Sequence, residues 1–201
     1  KDNSLKIVLL KIVRKPLTNR WAVPGGLVLP TENLENAVER HITTKTGIKK
    51  NYFEQLGTFG DINRDPRGRV VSVAYLSLLS NPITNLSTTK DYSDVQWFDV
   101  KKLPALAYDH THIIKTALQR LRSKLEYTNI AQYLLPTTFT LRELQSVYEL
   151  VLGKKLDKRN FRKKILSLNI LKKAQKKAVG SFRPAELYCF KNQKPAFIEI
   201  L

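Results

Sequence analysis

Residues 26–48 read GLVLPTENLENAVERHITTKTGI, and the parsing of that stretch decides the fold. A helix is predicted over residues 33–46, because Leu34, Ala37, Val38 and Ile42 fall on one face of a 3.6-residue period. Asn33 is the residue type that accepts from the first free N–H groups of a helix. Gly47 stands where a left-handed C-terminal cap favours a residue without a Cβ. Just upstream, Trp21-Ala22-Val23-Pro24-Gly25-Gly26 reads as a strand end running into a tight turn.

Working outward, residues 5–13 (LKIVLLKIV) form a β-branched run of buried-strand length. Residues 55–59, 69–79 and 95–98 are further candidate strands. Residues 60–68 (GDINRDPRG) are rich in turn formers and charge, and 81–91 form a polar loop. Asp109 is placed to cap a helix reaching Leu125, with Ile113, Ile114, Ala117, Leu121 and Leu125 facing inward. Strands and helices alternate around one mixed sheet, so the expected class is α+β, a layered α/β/α sandwich. Near Glu126 the texture becomes helical and basic, which predicts two domains, 1–125 and 126–201. There Thr140 and Glu143 have capping-box spacing, with Phe139 and Leu144 as a hydrophobic staple. Gly153 ends that helix, and Asp157 caps a second over 158–168 whose buried stripe is Phe161, Ile165 and Leu168. Two candidate strands, 170–174 and 186–190, flank a basic loop.

Thirty-five Lys and Arg against 17 Asp and Glu give a net charge of +18, which calls for a polyanionic partner, most often nucleic acid. No apolar run approaches the roughly 20 residues of a bilayer span, so no membrane partner is expected. Cys189 is the single cysteine and cannot form an internal disulfide, which fits a reducing, cytoplasmic setting and a core position on a late strand. Residue 1 is Lys and the chain has no Met, so the natural start is expected upstream.

The 26–48 stretch resembles the Nudix signature: glycine, five residues, glutamate, seven residues, then Arg-Glu-aliphatic-x-Glu-Glu-x-Gly-aliphatic. Gly26, Glu32, Arg40, Ile42, Gly47 and Ile48 agree. The resemblance implies the Nudix fold and pocket. In Nudix hydrolases the three later glutamates share a helix face and bind Mg²⁺ against a pyrophosphate. Here those positions hold His41, Thr44 and Lys45. The carboxylates are gone and one is replaced by a cation, so no metal site, no cofactor and no hydrolysis are expected. Residues 57–75 (GTFGDINRDPRGRVVSVAY) and 97–110 (WFDVKKLPALAYDH) resemble the Nudix-related transcription regulators of the NrtR type, which sense ADP-ribose in NAD metabolism, and their pentose-responsive AraR-type relatives. The ligand-binding residues expected are Arg14, Trp21, Gly25, Gly26, Arg40, Arg64, Arg67 and Arg69. Several have alternative roles. Arg40 can pair with Glu32, Trp21 can be core, and the arginine loop can close on itself through Asp65.

Residues 136–173 (PTTFTLRELQSVYELVLGKKLDKRNFRKKILSLNILKK) read as a helix-turn-helix whose second helix carries Lys158, Arg159, Asn160, Arg162 and Lys163. Arg pairs bidentately with guanine, Asn with adenine, and Lys holds phosphate. Lys176, Lys177 and Arg183 occupy the position of a wing, and Thr138, Thr140 and Arg142 are candidate phosphate contacts. This segment also resembles the winged helix of the same regulators. The combined expectation is a homodimeric regulator, repressor or activator, binding an inverted-repeat operator in double-stranded DNA under control of ADP-ribose or a pentose. Two other classes stay open: a working ADP-ribose pyrophosphatase, and an RNA-binding protein, which would have to work without an aromatic stacking motif.

Overall fold

The computed structural model describes residues 4–49, 52–80, 83–174 and 185–198. They fall into two units that divide between Ala117 and Leu118, with the strand end at Leu78 grouped with the second. The first unit runs β1 (Lys6–Ile12), β2 (Trp21–Ala22), α1 (Leu34–Thr46), β3 (Tyr52–Phe59), β4 (Ser72–Leu78) and β5 (Tyr92–Asp99) into α2 (His110–Tyr127).

β1 is the central strand of a three-stranded sheet. It pairs antiparallel with β5 from Lys6–Asp99 to Ile12–Tyr92, and with β2 through Leu10–Ala22 and Lys11–Trp21. Successive side chains of a strand point to opposite faces, yet Leu9 and Leu10 are both fully buried. β1 is therefore covered on both sides, as its unbroken apolar run requires. β3 pairs with β4 in a second, two-stranded sheet. A parallel bridge joins Trp21 and Leu106.

α1 is capped as its sequence demands. The Asn33 side chain accepts from Asn36 N, and Gly47 closes the helix at φ 75° with its N–H on Thr43 O. The buried face differs from the periodic one. Leu34 is 36% exposed, Val38 and Ile42 are half-buried, and Ala37, His41 and Thr46 are buried. The stripe is rotated because His41, not Leu34, is drawn against the preceding turn. In α2, Ile113, Ile114, Leu121 and Leu125 are buried and Ala117 is half-buried.

In the second unit a 3₁₀ turn (Ile130–Leu134) precedes α3 (Leu141–Leu152), α4 (Lys158–Ser167), β6 (Leu171–Lys173) and β7 (Tyr188–Phe190). Thr140 and Glu143 form the reciprocal capping box, and Gly153 ends α3 at φ 72°. β6 and β7 are antiparallel, Leu171 opposite Phe190 and Lys173 opposite Tyr188. Phe139 exchanges backbone hydrogen bonds of 2.9 and 2.7 Å with Tyr188, adding a third short rung. Phe139, Leu144, Tyr148 and Ile165 are at most 1% exposed. Truncating such a residue to alanine costs about 2–5 kcal/mol, so these four hold the helix pair onto the hairpin. Cys189 lies half-buried in β7, with its thiol free. Among the described residues no helix is long and apolar enough to cross a membrane.

Candidate functional site

In the first unit, β2 is fixed by long-range hydrogen bonds. Trp21 N donates to Ala105 O at 3.0 Å and Ala107 N to Trp21 O at 2.8 Å. Trp21 is half-buried, edge-on to Phe98 with centroids 4.6 Å apart. Two residues further on, Val23 N donates to His110 Nδ1 at 3.1 Å. These bonds aim the Pro24-Gly25-Gly26 turn at α1. A Cβ on Gly26 would lie 2.4 Å from His41 Cε1. Gly26 is thus needed for close approach, while Gly47 serves as the expected left-handed cap. Gly25 has neither demand, and a Cβ there would meet nothing within 4 Å.

The three positions that carry metal ligands in the Nudix signature do not fit Mg²⁺. The His41 ring is buried with Nε2 3.0 Å from Leu27 O. Burial lowers its pKa, with the Leu27 carbonyl opposing and the charges of Lys45 and Arg40 assisting, and Nε2 donates to that carbonyl. Thr44 Oγ1 donates to Arg40 O at 2.7 Å. The Lys45 ammonium donates to Gly25 O at 2.5 Å and Tyr92 Oη at 3.1 Å. Glu32 is committed elsewhere. It forks with the Arg40 guanidinium and accepts from Leu29 N, which together hold its carboxyl at about 2. Among the described residues no group of three His, Cys, Asp or Glu could hold a metal. Hard oxygen donors are what Mg²⁺ needs, and an ammonium occupies the helix face instead.

The structure assigns each predicted ligand arginine a partner. Arg40 bridges Glu32 and Leu27 O, so it shapes the 27–32 loop. Arg14, exposed after β1, pairs with Asp91. Arg64 is buried. It is 7% exposed and makes a bidentate pair with Asp109 at 2.8 and 3.0 Å. The Asp109 carboxylate expected to cap α2 is therefore engaged by Arg64. Arg67 forks onto Asp65 at 2.8 and 3.0 Å, lowering the Asp65 pKa. Arg69 donates to Gly60 O and Asp61 O. The loop closes on itself, which was one of the two readings its sequence left open. Arg67 also lies 5.4 Å from the Tyr108 ring centroid. Tyr108 and Tyr92 pack on one cluster of Ile12, Ala22 and Ala107.

In the second unit, Asp157 caps α4 through Asn160 N. Phe161 and Ile165 face the core, while Lys158, Arg159, Asn160, Arg162 and Lys163 are all exposed. Thr138 and Arg142 are exposed at the start of α3. The Thr140 hydroxyl is occupied by the capping box. Lys176, Lys177 and Arg183 lie outside the described residues. The turn between α3 and α4 is stitched by Glu149, which accepts from Leu156 N, Gln145 Nε2 and Lys155 Nζ, each at 3.0 Å. The Leu156 N–H above all, then Lys155 and Gln145, hold its carboxyl at about 2.

Tyr92, Tyr108 and Glu149 were not named from the sequence, while Lys45 and Asp109 were named there only as a lost metal position and a helix cap. The partners of Lys45, Tyr92 and Asp109 are remote in the chain, so no local spacing marks them, whereas Glu149 bonds only to Gln145, Lys155 and Leu156 nearby. Only the lysine carried a signal, a cation where the signature has a carboxylate.

The NUDIX domain family matches residues 1–121, and the family described as the NrtR DNA-binding winged helix domain matches residues 131–190. The chain is 34% identical to the ADPR-responsive transcriptional repressor NtrR of Acinetobacter baylyi, covering 94% of this chain and 77% of that protein. It is 38% identical to an ADP-ribose pyrophosphatase of Methanocaldococcus jannaschii, over 57% of this chain and 66% of that one. The structure of Shewanella oneidensis NrtR complexed with a 27mer DNA superposes with a TM-score of 0.79 at 34% identity, covering 95% of this chain and 89% of that chain. A NUDIX domain without its metal ligands and a capped, basic helix-turn-helix with a β-hairpin thus occur in one chain, and that chain belongs to the NrtR family.

Proposed function

We propose that this protein is a DNA-binding transcriptional repressor whose NUDIX domain senses ADP-ribose or a related nucleotide without hydrolysing it. The observation that carries the reading is α4, capped by Asp157 and presenting Lys158, Arg159, Asn160, Arg162 and Lys163 to solvent beside a β-hairpin. A helix so charged fits the major groove, with arginine and asparagine for base edges and lysine for phosphate. The protein acts as a homodimer, placing two recognition helices on half-sites about one helical turn apart. ADP-ribose binds the operator-competent and operator-incompetent states with different affinities and so changes DNA affinity. The non-hydrolytic half of the reading is supported by His41, Thr44 and Lys45, whose side chains are all engaged within the protein.

The test is fluorescence anisotropy on labelled duplex from upstream of the protein's own operon, with and without ADP-ribose. Sequence-selective binding that shifts with ADP-ribose is expected. Selective binding that responds only to a free pentose such as arabinose transfers the effector to the sugars. Absence of selective binding removes the regulator reading.

The pyrophosphatase reading has its own support in the likeness to the archaeal enzyme over the NUDIX domain. Phosphate release from ADP-ribose, coupled to a phosphatase with Mg²⁺ or Mn²⁺ present, separates the two. Turnover of ordinary enzymatic magnitude would restore catalysis.

A further inference from the structure

Recognition of an anion needs positive charge that the protein has not already neutralised. Of the arginines expected to hold the ligand, four are neutralised. Arg14 is paired with Asp91, Arg40 with Glu32, Arg64 with Asp109 and Arg67 with Asp65. Arg69 has no carboxylate among the described residues, but one of its terminal nitrogens is spent on the carbonyls of Gly60 and Asp61. Lys45 also lacks a carboxylate partner among the described residues. It is held instead by one carbonyl and one hydroxyl, Gly25 O at 2.5 Å and Tyr92 Oη at 3.1 Å, with the Tyr92 ring centroid 5.2 Å away.

An ammonium has three N–H donors. Two fix its position here, and the third is left for a ligand. The turn the ammonium bonds to is open, since Gly25 is exposed and a Cβ there would meet nothing within 4 Å. Tyr92 shares its packing cluster with Tyr108, which carries the Arg67 guanidinium against its ring. Arg67 is already paired with Asp65, so the charge left for a phosphate on that side is the Lys45 ammonium.

We propose that Lys45 is the fixed cation of a metal-independent diphosphate site. The ammonium supplies the electrostatic attraction that a divalent ion supplies in hydrolases. It supplies neither Lewis acidity nor a bound water to act as nucleophile. Binding is thereby retained and cleavage is not. The inference rests on the effector reading above, and names the residue that takes the ligand's diphosphate.

Calorimetric titration of the full chain tests it, using ADP-ribose in EDTA and in Mg²⁺, and inorganic pyrophosphate in EDTA. Wild type is expected to bind both ligands, with ADP-ribose affinity equal in EDTA and Mg²⁺ within about two-fold. Lys45→Gln should weaken both by about ten-fold or more, the loss of a charge-assisted contact, while Lys45→Arg keeps most of the affinity. Tyr92→Phe removes one tether but leaves the charge, so it should weaken both by a smaller factor. Its result stands if Lys45→Gln fails to fold. Unchanged ADP-ribose affinity in Lys45→Gln and Tyr92→Phe overturns the proposal and leaves the effector reading intact, as does ADP-ribose binding that EDTA abolishes. Lys45-dependent pyrophosphate binding without ADP-ribose binding upholds the site and overturns ADP-ribose as effector. Binding of neither ligand by wild type overturns both.

Discussion

Lowering the pH from 7 to 4.5 should destabilise the NUDIX unit in part through His110. His110 is 8% exposed, and burial pushes its pKa from 6.5 down to about 4, with Arg64 assisting and Asp109 opposing. The geometry agrees, because Nδ1 accepts from Val23 N at 3.1 Å and so must be unprotonated. Above pH 6.5 the ring is neutral in folded and unfolded chains alike, and this group contributes no pH dependence. Below 6.5 the unfolded chain takes up a proton that the folded chain refuses. Stability then falls by about 1.4 kcal/mol per pH unit and levels off near pH 4, a total of about 3 kcal/mol. Both tryptophans, Trp21 and Trp97, lie in this unit, so their fluorescence follows its unfolding in urea. His41 is shifted the same way and adds to the slope, and it is present in both proteins of the comparison. The informative quantity is therefore the difference between wild type and His110→Gln, which keeps an acceptor for Val23 and cannot titrate. The variant should lose the steeper part of the decline between pH 6.5 and 4.5. Parallel curves for the two proteins would refute the reasoning.

Arg64→Ala strips the partner from a largely buried Asp109, with side-chain exposures of 4% and 18%, and should cost about 3–5 kcal/mol in the same urea assay. Restoring neutrality with Asp109→Asn should recover part of that loss. Tyr148 is fully buried with no hydrogen-bond partner for its hydroxyl among the described residues, so Tyr148→Phe should be neutral or stabilising by about 1 kcal/mol, read by circular dichroism of the helical unit. Arg159→Ala and Arg162→Ala should each weaken operator binding by about 1–3 kcal/mol where the arginine reads a base; unchanged anisotropy titrations for both would show that α4 is not the recognition helix. Asp157→Ala removes the α4 cap and should lower helix stability by about 0.5–2 kcal/mol, measured in the winged-helix thermal transition.

What the sequence determined by itself is what lies within one turn of chain. Asn33, Gly47, Thr140 with Glu143, Gly153 and Asp157 all act at the helix ends where their types and spacings place them, because a cap needs only the backbone of its own helix. The exposed basic face of α4 was legible for the same reason, since the stripe of Phe161 and Ile165 fixes which side faces out. The loss of the metal carboxylates could also be read directly.

The tertiary structure alone decided which charges find each other. Arg64 meets Asp109 45 residues away, and Lys45 meets Gly25 across 20 and Tyr92 across 47. It also turned α1 so that His41 is buried and Leu34 exposed, a choice made by the close approach at Gly26. Periodicity gives a helix an apolar face. The neighbour it packs on, set by strand pairing far along the chain, selects the residues of that face that are buried and the cations that remain without a counter-charge.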